Sequence, residues 1–282
     1  MYKELGAPTF FITKTCRPTW DDIKVELLAG QDSKDRPDLI NRVFELKNRE
    51  MQSLVTFEDV MGRCNGYLSV REFQTRGLPH VHDIIFLHKD DAPRSAQEYD
   101  RWISARIPPK TAPALRKLVL KTNIHGPCGT QNPTSPCMKD GKCSKFYPRT
   151  FVSSTTDGDG SYFEYRGRSP EFRGKTATVT RAGPSFTVDN SWVVPYTPQL
   201  TLQLGCHVNV GIVSGVIALK YLFKYVTKGP NSAMMAVVES HIHAVDGRST
   251  TGDASAGTGG NPPGSCEAAS IGAVAAGNEQ PA

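Results

Sequence analysis

The stretch that decides the fold is 72–87, EFQTRGLPHVHDIIFL. Alternating residues before Gly77 and an apolar run after Pro79 predict a β-hairpin formed by about 66–74 and 80–87. Side chains two positions apart on a strand share a face, so His80 and His82 point together and Val81 points into the opposite layer. Two imidazoles arranged in this way are typical of metal ligands. An isolated His-x-His is more often a chance pair on a half-exposed strand.

A third ligand is expected from the preceding strand of the hairpin. Glu72 and Gln74 share a face by alternation, and Gln74 is nearer the turn. We therefore favour Gln74 as the third ligand and keep Glu72 as the second choice. Oxygen donors combined with imidazole suit Mg²⁺ or Mn²⁺.

A second constellation lies far downstream in Tyr221-Leu222-Phe223-Lys224-Tyr225. Apolar residues at helical spacing predict a helix over 214–228, which places Tyr221 and Tyr225 on one face. Lys224 and Lys228 each follow a tyrosine by three residues, and a nearby ammonium group or metal favours the phenolate. Such a tyrosine could attack a phosphate polarised by a metal at the histidines. Taken alone, the spacing more often means interfacial tyrosines with solvated lysines.

The cysteines suggest a separate metal site. The chain has seven, an odd number, and the spacing of His125, Cys128, Cys137 and Cys143 places four soft or borderline ligands in a Gly/Pro-rich stretch. We expect a structural Zn²⁺ within an insertion at 123–149, because this loop has little apolar core of its own. The alternative is a loop that carries reduced cysteines.

Composition limits the remaining function classes. The 282 residues include 33 Lys and Arg against 28 Asp and Glu, and a net charge of +5 permits a polyanionic partner without demanding one. No apolar run is long enough for a membrane span, and the first residues lack a signal-peptide core. We expect an intracellular protein, and a nuclear one if it processes DNA. Gly, Ala, Ser and Thr dominate 244–282, which predicts a disordered tail.

Further elements follow from periodicity. The apolar spacing from Pro37 to about Val60 predicts an amphipathic helix or a helix pair. Trp192–Tyr196 and Leu200–Leu204 are interpreted as strand-like. His207 and Asn209 are assigned a capping or core role, with ligation kept as a second possibility.

Five runs together resemble the replication-initiator region of Helitron transposons, often called Helitron helicase-like, within the HUH (His-hydrophobic-His) single-strand endonucleases. In order along the chain, the runs are 11–18 (FITKTCRP), 72–82 (EFQTRGLPHVH), 135–148 (SPCMKDGKCSKFYP), 192–196 (WVVPY) and 220–229 (KYLFKYVTKG). The sequence departs from the family pattern at Lys14, Arg17 and Asp83. Asp83 should face away from the metal side.

The resemblance implies an α+β fold, with a central antiparallel sheet flanked by helices, over a domain at 1–243. It also implies that His80 and His82 bind the metal and that Tyr221 and Tyr225 are the nucleophiles. Such modules nick single-stranded DNA in rolling-circle-type transposition and are fused to a helicase. No Gly-x-x-x-x-Gly-Lys-Ser/Thr run occurs here. The alternative is therefore a truncated, catalytically inactive DNA-binding remnant, or a zinc-stabilised domain with no catalytic role. The sequence does not give the oligomeric state.

Overall fold

The structure is a computed structural model that describes residues 5–74, 77–158, 163–180, 185–213 and the backbone of 233–237. The predicted tyrosine helix at 214–228 and the predicted disordered tail at 244–282 lie outside the described residues. Among the described helices, none combines the length and apolar character needed to cross a membrane. The fold is α+β, as predicted.

A five-stranded antiparallel sheet organises the described residues. Its strands are β1 (Phe10–Thr15), β2 (Cys64–Phe73), β3 (Pro79–Leu87), β10 (His207–Ile212) and β11 (Ala233–Val237). They lie side by side in the order β10-β1-β3-β2-β11. The predicted hairpin is the centre of this sheet, since β2 and β3 pair directly. The first strand and the strand at 207–212 meet across almost 200 residues of sequence only after folding.

The register of the hairpin sorts its side chains onto two faces. Glu72 lies opposite His80 and Ser69 lies opposite Asp83, and directly paired residues share a face in an antiparallel ladder. We call the side that carries His80 and His82 the histidine face, and the side that carries Val81 and Ile85 the core face. Asp83 is therefore on the core face, as the alternation predicted.

Helix α2 (Pro37–Thr56), which follows the short helix α1 (Asp21–Lys24), covers the core face. Proline at its first position is compatible with a helix start, since that residue has no intrahelical acceptor for an N–H. The sequence left open one helix or two, and the structure has one continuous helix. Its buried apolar residues are Leu39, Ile40, Val43, Phe44, Met51, Leu54 and Val55. Each full burial of such a side chain stabilises the fold by about 1.5–3 kcal/mol.

Two charged side chains lie inside this core. Lys14 and Asp83 are both 0% exposed. Burial lowers the pKa of Lys14 from 10.5 to about 8, against the opposing effect of the Asp83 carboxylate. Burial also raises the pKa of Asp83, whose Oδ1 accepts a 2.6 Å hydrogen bond from the Tyr67 hydroxyl. Two of the departures from the family pattern thus lie on the same buried side of the sheet.

A second apolar cluster packs beside the β10 edge. It joins helix α3 (Pro113–Thr122) to a hairpin of β8 (Ala177–Thr180) and β9 (Ser185–Val188). Two-residue strands precede them: β4 (Met138–Lys139), β5 (Lys142–Cys143), β6 (Thr156–Asp157) and β7 (Phe163–Glu164). Hydrogen bonds from Asn123 Nδ2 to Val208 O (2.8 Å) and from Val210 N to Pro195 O (3.0 Å) tie this cluster to the edge strand β10.

The strand predicted at Leu200–Leu204 is wrong, because Pro198–Leu204 forms helix α4. The alternating leucines imitate a strand pattern, but the buried residues Leu200 and Leu204 are four apart, which is helical spacing. Pro198 starts the helix, and Gly205 ends it with φ 60°. At 192–196 the structure has isolated bridges at Val193 and Tyr196 instead of a regular strand.

Candidate metal centres

Three side chains converge on the histidine face at the end of the central hairpin. Nε2 of His80 and Nε2 of His82 are 3.1 Å apart, and the second atom lies 3.5 Å from Oε2 of Glu72. All three donor atoms lie within 4.8 Å of one another. His80 and Glu72 face each other across β3 and β2, and His82 is the next residue on the same face.

The neighbouring strand β1 orients the two imidazoles. Thr13 Oγ1 lies 3.2 Å from Nδ1 of His82, and Thr15 Oγ1 lies 3.2 Å from Nδ1 of His80. A threonine hydroxyl can accept from an Nδ1–H, and that tautomer leaves the Nε2 lone pairs pointing to the shared point. The ring of Phe11 also stacks on His82 at 5.4 Å between centroids. Strand pairing therefore fixes both rings before any ligand arrives.

Electrostatics keeps His80 neutral. Burial lowers its pKa from 6.5 to about 4, and His82 lowers it further, while the Glu72 carboxylate opposes the shift. A neutral imidazole is the form that binds a metal. The carboxylate side chain of Glu72 is only 17% exposed. A carboxylate oxygen thus lies beside two imidazole nitrogens in a largely buried position.

The distances are compatible with a bound divalent cation, for example an octahedral one. Octahedral ligands at about 2.1 Å from such an ion are about 3.0 Å from one another. The separations of 3.1 and 3.5 Å are close to that value. Two imidazole nitrogens and one carboxylate oxygen at these separations could therefore hold a metal ion.

The two candidates for the third ligand occupy different places. The Glu72 carboxylate lies with the Nε2 atoms, whereas Gln74 Nε2 lies 3.4 Å from Nδ1 of His80, on the other edge of that ring. Gln74 is exposed and follows the last residue of β2. This geometry favours the second choice of the sequence analysis over the first.

His207, for which the sequence analysis favoured a capping or core role and kept ligation as a second possibility, shares the histidine face. It lies opposite Thr15 across β10 and β1, and Thr15 lies opposite His80, so these residues form one row across the sheet. Its Nδ1 lies 2.8 Å from the carbonyl oxygen of Thr122, and its charge acts on His80. The alternation His207-Val208-Asn209-Val210 was the available signal for a strand.

Tyr221, Lys224, Tyr225 and Lys228 lie outside the described residues. Their predicted role in catalysis remains a prediction from the sequence.

A second cluster joins His125, Cys128, Cys137 and Cys143, as the spacing predicted. The four donor atoms lie within 4.8 Å of one another, and Cys143 Sγ is 3.3 Å from His125 Nε2. Tetrahedral Zn²⁺ with bonds of about 2.0–2.3 Å has ligand separations of about 3.4–3.8 Å. The cluster can therefore hold a metal ion such as zinc.

Tight turns bring these ligands together. Strands β4 and β5 form a minimal hairpin whose turn residues, Asp140 and Gly141, have φ values of 49° and 74°. Both positive values suit a turn that places Cys137 and Cys143 side by side. Ser144 N donates to Cys137 O at 2.7 Å, and the His125 ring stacks on Tyr147 at 4.1 Å.

The thiols of the cluster differ in acidity. Burial raises the pKa of Cys128 to about 12, and its hydrogen bonds to Cys137 and Cys143 add to this shift. Burial acts on Cys143 in the same direction, but backbone N–H groups of Tyr147 and Lys145 outweigh it and lower its pKa. A lowered thiol pKa at Cys143 favours the start of metal binding at this residue, because zinc binds the thiolate form.

Comparison with known families bears on the first cluster. Residues 1–85 match a family described as the Helitron helicase-like domain at the N-terminus. Residues 1–85 are therefore similar to the N-terminal helicase-like domain of Helitrons. The matched segment contains Glu72, Gln74, His80 and His82, and the HUH assignment is consistent with the match.

The match to the Helitron helicase-like domain supports a Helitron-related role in general. It covers 85 of the 282 residues, so the Cys/His cluster and the tyrosines are outside it. No curated protein matches the chain.

Proposed function

We propose that this chain is a metal-dependent, tyrosine-using module that nicks single-stranded DNA and transfers the strand in rolling-circle-type transposition. The observation that carries the proposal is the convergence of Glu72, His80 and His82 within 4.8 Å inside the Helitron-like segment. A chance histidine pair on a strand would not need a carboxylate in the opposite register position and threonines behind both rings. The proposal assigns Glu72 as the third ligand and keeps Gln74 as its neighbour.

The chemistry divides between the sheet and the sequence at 221–228. A divalent ion bound at the cluster would supply positive charge to the oxygens of the scissile phosphate. The chain's own contribution is to hold that phosphate against β3 while the phenol oxygen of Tyr221 or Tyr225 attacks phosphorus. The tyrosine hydroxyl loses its proton, and a bond between its oxygen and phosphorus forms as the P–O bond to one sugar breaks. That sugar oxygen takes up a proton and leaves as a free hydroxyl, and the DNA end that carries the phosphate becomes joined to the chain.

A tyrosine is a better nucleophile than water for strand transfer, because the energy of the phosphodiester bond is retained in the covalent intermediate. The phosphotyrosine keeps the phosphodiester energy, so a free DNA hydroxyl can later displace the tyrosine and rejoin the strand. Two tyrosines allow two such events in succession. Lys224 and Lys228 are proposed to favour the phenolate, because an ammonium group nearby lowers the pKa of a phenol.

The Cys/His cluster has a structural role in this proposal. It holds the 123–149 segment in one conformation when zinc is bound. Lys139, Lys142 and Lys145 are exposed around it and are suited to contact phosphates. The expected partner is single-stranded DNA, and the expected compartment is the nucleus.

The test is covalent trapping. The chain is incubated with labelled single-stranded DNA and Mn²⁺, and adducts that survive denaturation are separated on a gel. We expect an adduct from the wild type, and loss of at least about 100-fold from Tyr221→Phe/Tyr225→Phe and from His82→Ala, since each removes a group that acts in the chemical step. Tyr99→Phe and His88→Ala are the matched controls and should retain the adduct.

Each outcome has a defined meaning. DNA binding on a native gel without any adduct would overturn the nicking proposal and favour an inactive DNA-binding remnant. An adduct that persists in the double tyrosine variant would show that another nucleophile acts.

A further inference from the structure

A cavity lined by cations lies outside both metal clusters. Its volume is about 200 Å³, and its walls include Arg106, Arg166, Arg168, Arg173 and Lys175. One of these cations, Arg166, forms an ion pair within the described residues: its Nε lies 3.2 Å from Oδ2 of Asp100. Like charges gathered in a recess repel one another, so the native state bears an electrostatic cost that a bound anion would remove.

The cavity is built by specific backbone contacts and is more than a loose surface patch. Asn190, which is 7% exposed, joins two walls: its Nδ2 donates to Arg168 O and its Oδ1 accepts from Ile107 N, each at 2.9 Å. The opposite loop closes on itself through the hydrogen bond from Gly174 N to Ser169 O at 2.8 Å. A Cβ at position 174 would lie 2.1 Å from Arg168 O, so this turn requires glycine.

The acidities of the lining groups agree with the geometry. Burial lowers the pKa of Arg106, and the neighbouring Arg166 and Arg168 lower it further while Asp100 opposes them. Burial also lowers the pKa of Lys175, and the positive charges of Arg106 and Arg116 add to that shift. The cations thus act on one another around the partly buried Arg106 and Arg166, with Arg168, Arg173 and Lys175 exposed at the rim.

Hydrogen bonds link the cavity to the sheet that carries the histidines. The Tyr165 hydroxyl, next to Arg166, accepts from Ile212 N at 3.0 Å at the end of β10. The Tyr196 hydroxyl donates to Arg106 O at 2.9 Å, and Pro195 O accepts from Val210 N of the same strand. A ligand held in the cavity would therefore have a fixed position relative to the edge strand that also carries His207.

We propose that this cavity binds one backbone phosphate of the single-stranded DNA, at a point on the strand away from the scissile linkage. Planar guanidinium groups match phosphate oxygens in pairs, and a recess of this size suits a single tetrahedral anion better than a peptide. The inference rests on the proposed DNA-nicking function. Its role is positioning: the second anchor sets which linkage of the strand reaches the histidine face.

The test measures binding of a fluorescent oligothymidylate by anisotropy, without added divalent ions, as a function of salt. Arg106→Gln/Arg168→Gln should weaken binding by about 10-fold or more at low salt. The slope of log K against log salt should also fall in magnitude by about 0.7 for each phosphate that the variant no longer neutralises. The control Arg42→Gln/Arg49→Gln removes the same charge from the exposed side of α2 and should change neither quantity by as much.

Two further variants guard against misfolding. Lys175→Gln changes an exposed residue and should reduce the affinity for DNA by a few-fold. Arg106→Lys keeps the positive charge and should therefore bind DNA more tightly than a variant in which position 106 is neutral. Wild-type affinity and slope in the cavity double variant would overturn the proposal, as would equal losses in cavity and control variants. Displacement of the DNA by an octaglutamate peptide but not by inorganic phosphate would favour an acidic protein partner and overturn it too.

The DNA-binding and adduct assays separate this inference from the proposed function. Cavity-dependent DNA binding without any adduct would sustain the cavity and contradict the nicking function. Normal adduct formation and normal DNA binding in Arg106→Gln/Arg168→Gln would sustain the nicking function and contradict the proposed phosphate site in the cavity.

Discussion

The two clusters of this chain are built in opposite ways. Glu72, His80 and His82 stand on paired strands, and the register of the sheet places their donor atoms together. His125, Cys128, Cys137 and Cys143 stand on turns and two-residue strands. Cys128 and Cys143 are buried, yet they belong to none of the apolar clusters of the described residues.

This difference in construction indicates which of the two clusters depends on a metal for its stability. A sheet with a helix packed on its core face can hold two imidazoles whether or not an ion is bound. A loop without an apolar core must gain its stability from the bonds between the metal and its ligands. We therefore expect the loop cluster to be structural and closed, and the sheet cluster to be open and reactive.

Removing the loop metal should have the largest effect. Structural zinc contributes on the order of 10 kcal/mol of apparent binding free energy in small zinc domains. Cys143→Ser should lower zinc content from one ion per chain to near zero and make 123–149 sensitive to protease. Elemental analysis and limited proteolysis measure both changes.

The matched control is Cys64→Ser, which alters a buried thiol outside the cluster. It should keep one zinc per chain and leave the 123–149 segment resistant. Equal zinc content in wild type and Cys143→Ser would break the comparison between the two regions.

The next effect concerns the buried charges beneath the sheet cluster. Lys14→Met and Asp83→Asn should each reduce the free energy of unfolding by up to about 3 kcal/mol, because each removes an opposite charge that offsets the burial of the remaining one. The double variant should cost less than the sum of the two by at least about 1 kcal/mol. Denaturant unfolding measures all three, and strict additivity would show that the two charges do not interact.

The stability of wild type relative to Lys14→Met should depend on pH with a definite sign. The pKa of Lys14 is lowered in the folded chain, from 10.5 to about 8. The native state therefore loses its proton first, so the Lys14 contribution is fully present above pH 10.5 and is lost as the pH falls through about 8. The stability of wild type relative to Lys14→Met should rise between these values by at most about 3 kcal/mol.

A smaller effect tests how β1 orients the imidazoles. Thr13→Val keeps the shape of the side chain but removes the oxygen beside Nδ1 of His82. Loss of such an outer partner typically weakens metal binding by about 10–100-fold. Calorimetric titration with Mn²⁺ measures this, and Thr178→Val on the exposed face of β8 is the control.

The sequence predicted the features that depend on neighbouring residues. Alternation around Gly77 predicted the hairpin, and ligand spacing predicted the Cys/His loop. The features missed depend on distant partners: β10 pairs with β1, and this pairing brings His207 into the row of His80. Local pattern also misled, since the leucines of α4 alternate as in a strand.

The choice of the third ligand shows the same limit. Glu72 and Gln74 share a face by alternation, so the sequence cannot rank them except by distance from the turn. The strand β2 ends at Phe73, and Gln74 is exposed beyond its paired residues. Where a strand ends depends on the partner strand, which a single segment does not reveal.

The most direct test of the central claim is the Mn²⁺ stoichiometry of the zinc-loaded chain, measured by electron paramagnetic resonance. We predict one Mn²⁺ per chain for wild type and for His88→Ala. His80→Ala/His82→Ala should bind none while keeping its zinc. Full Mn²⁺ binding in that double variant, or none in wild type, would contradict a metal centre on the histidine face.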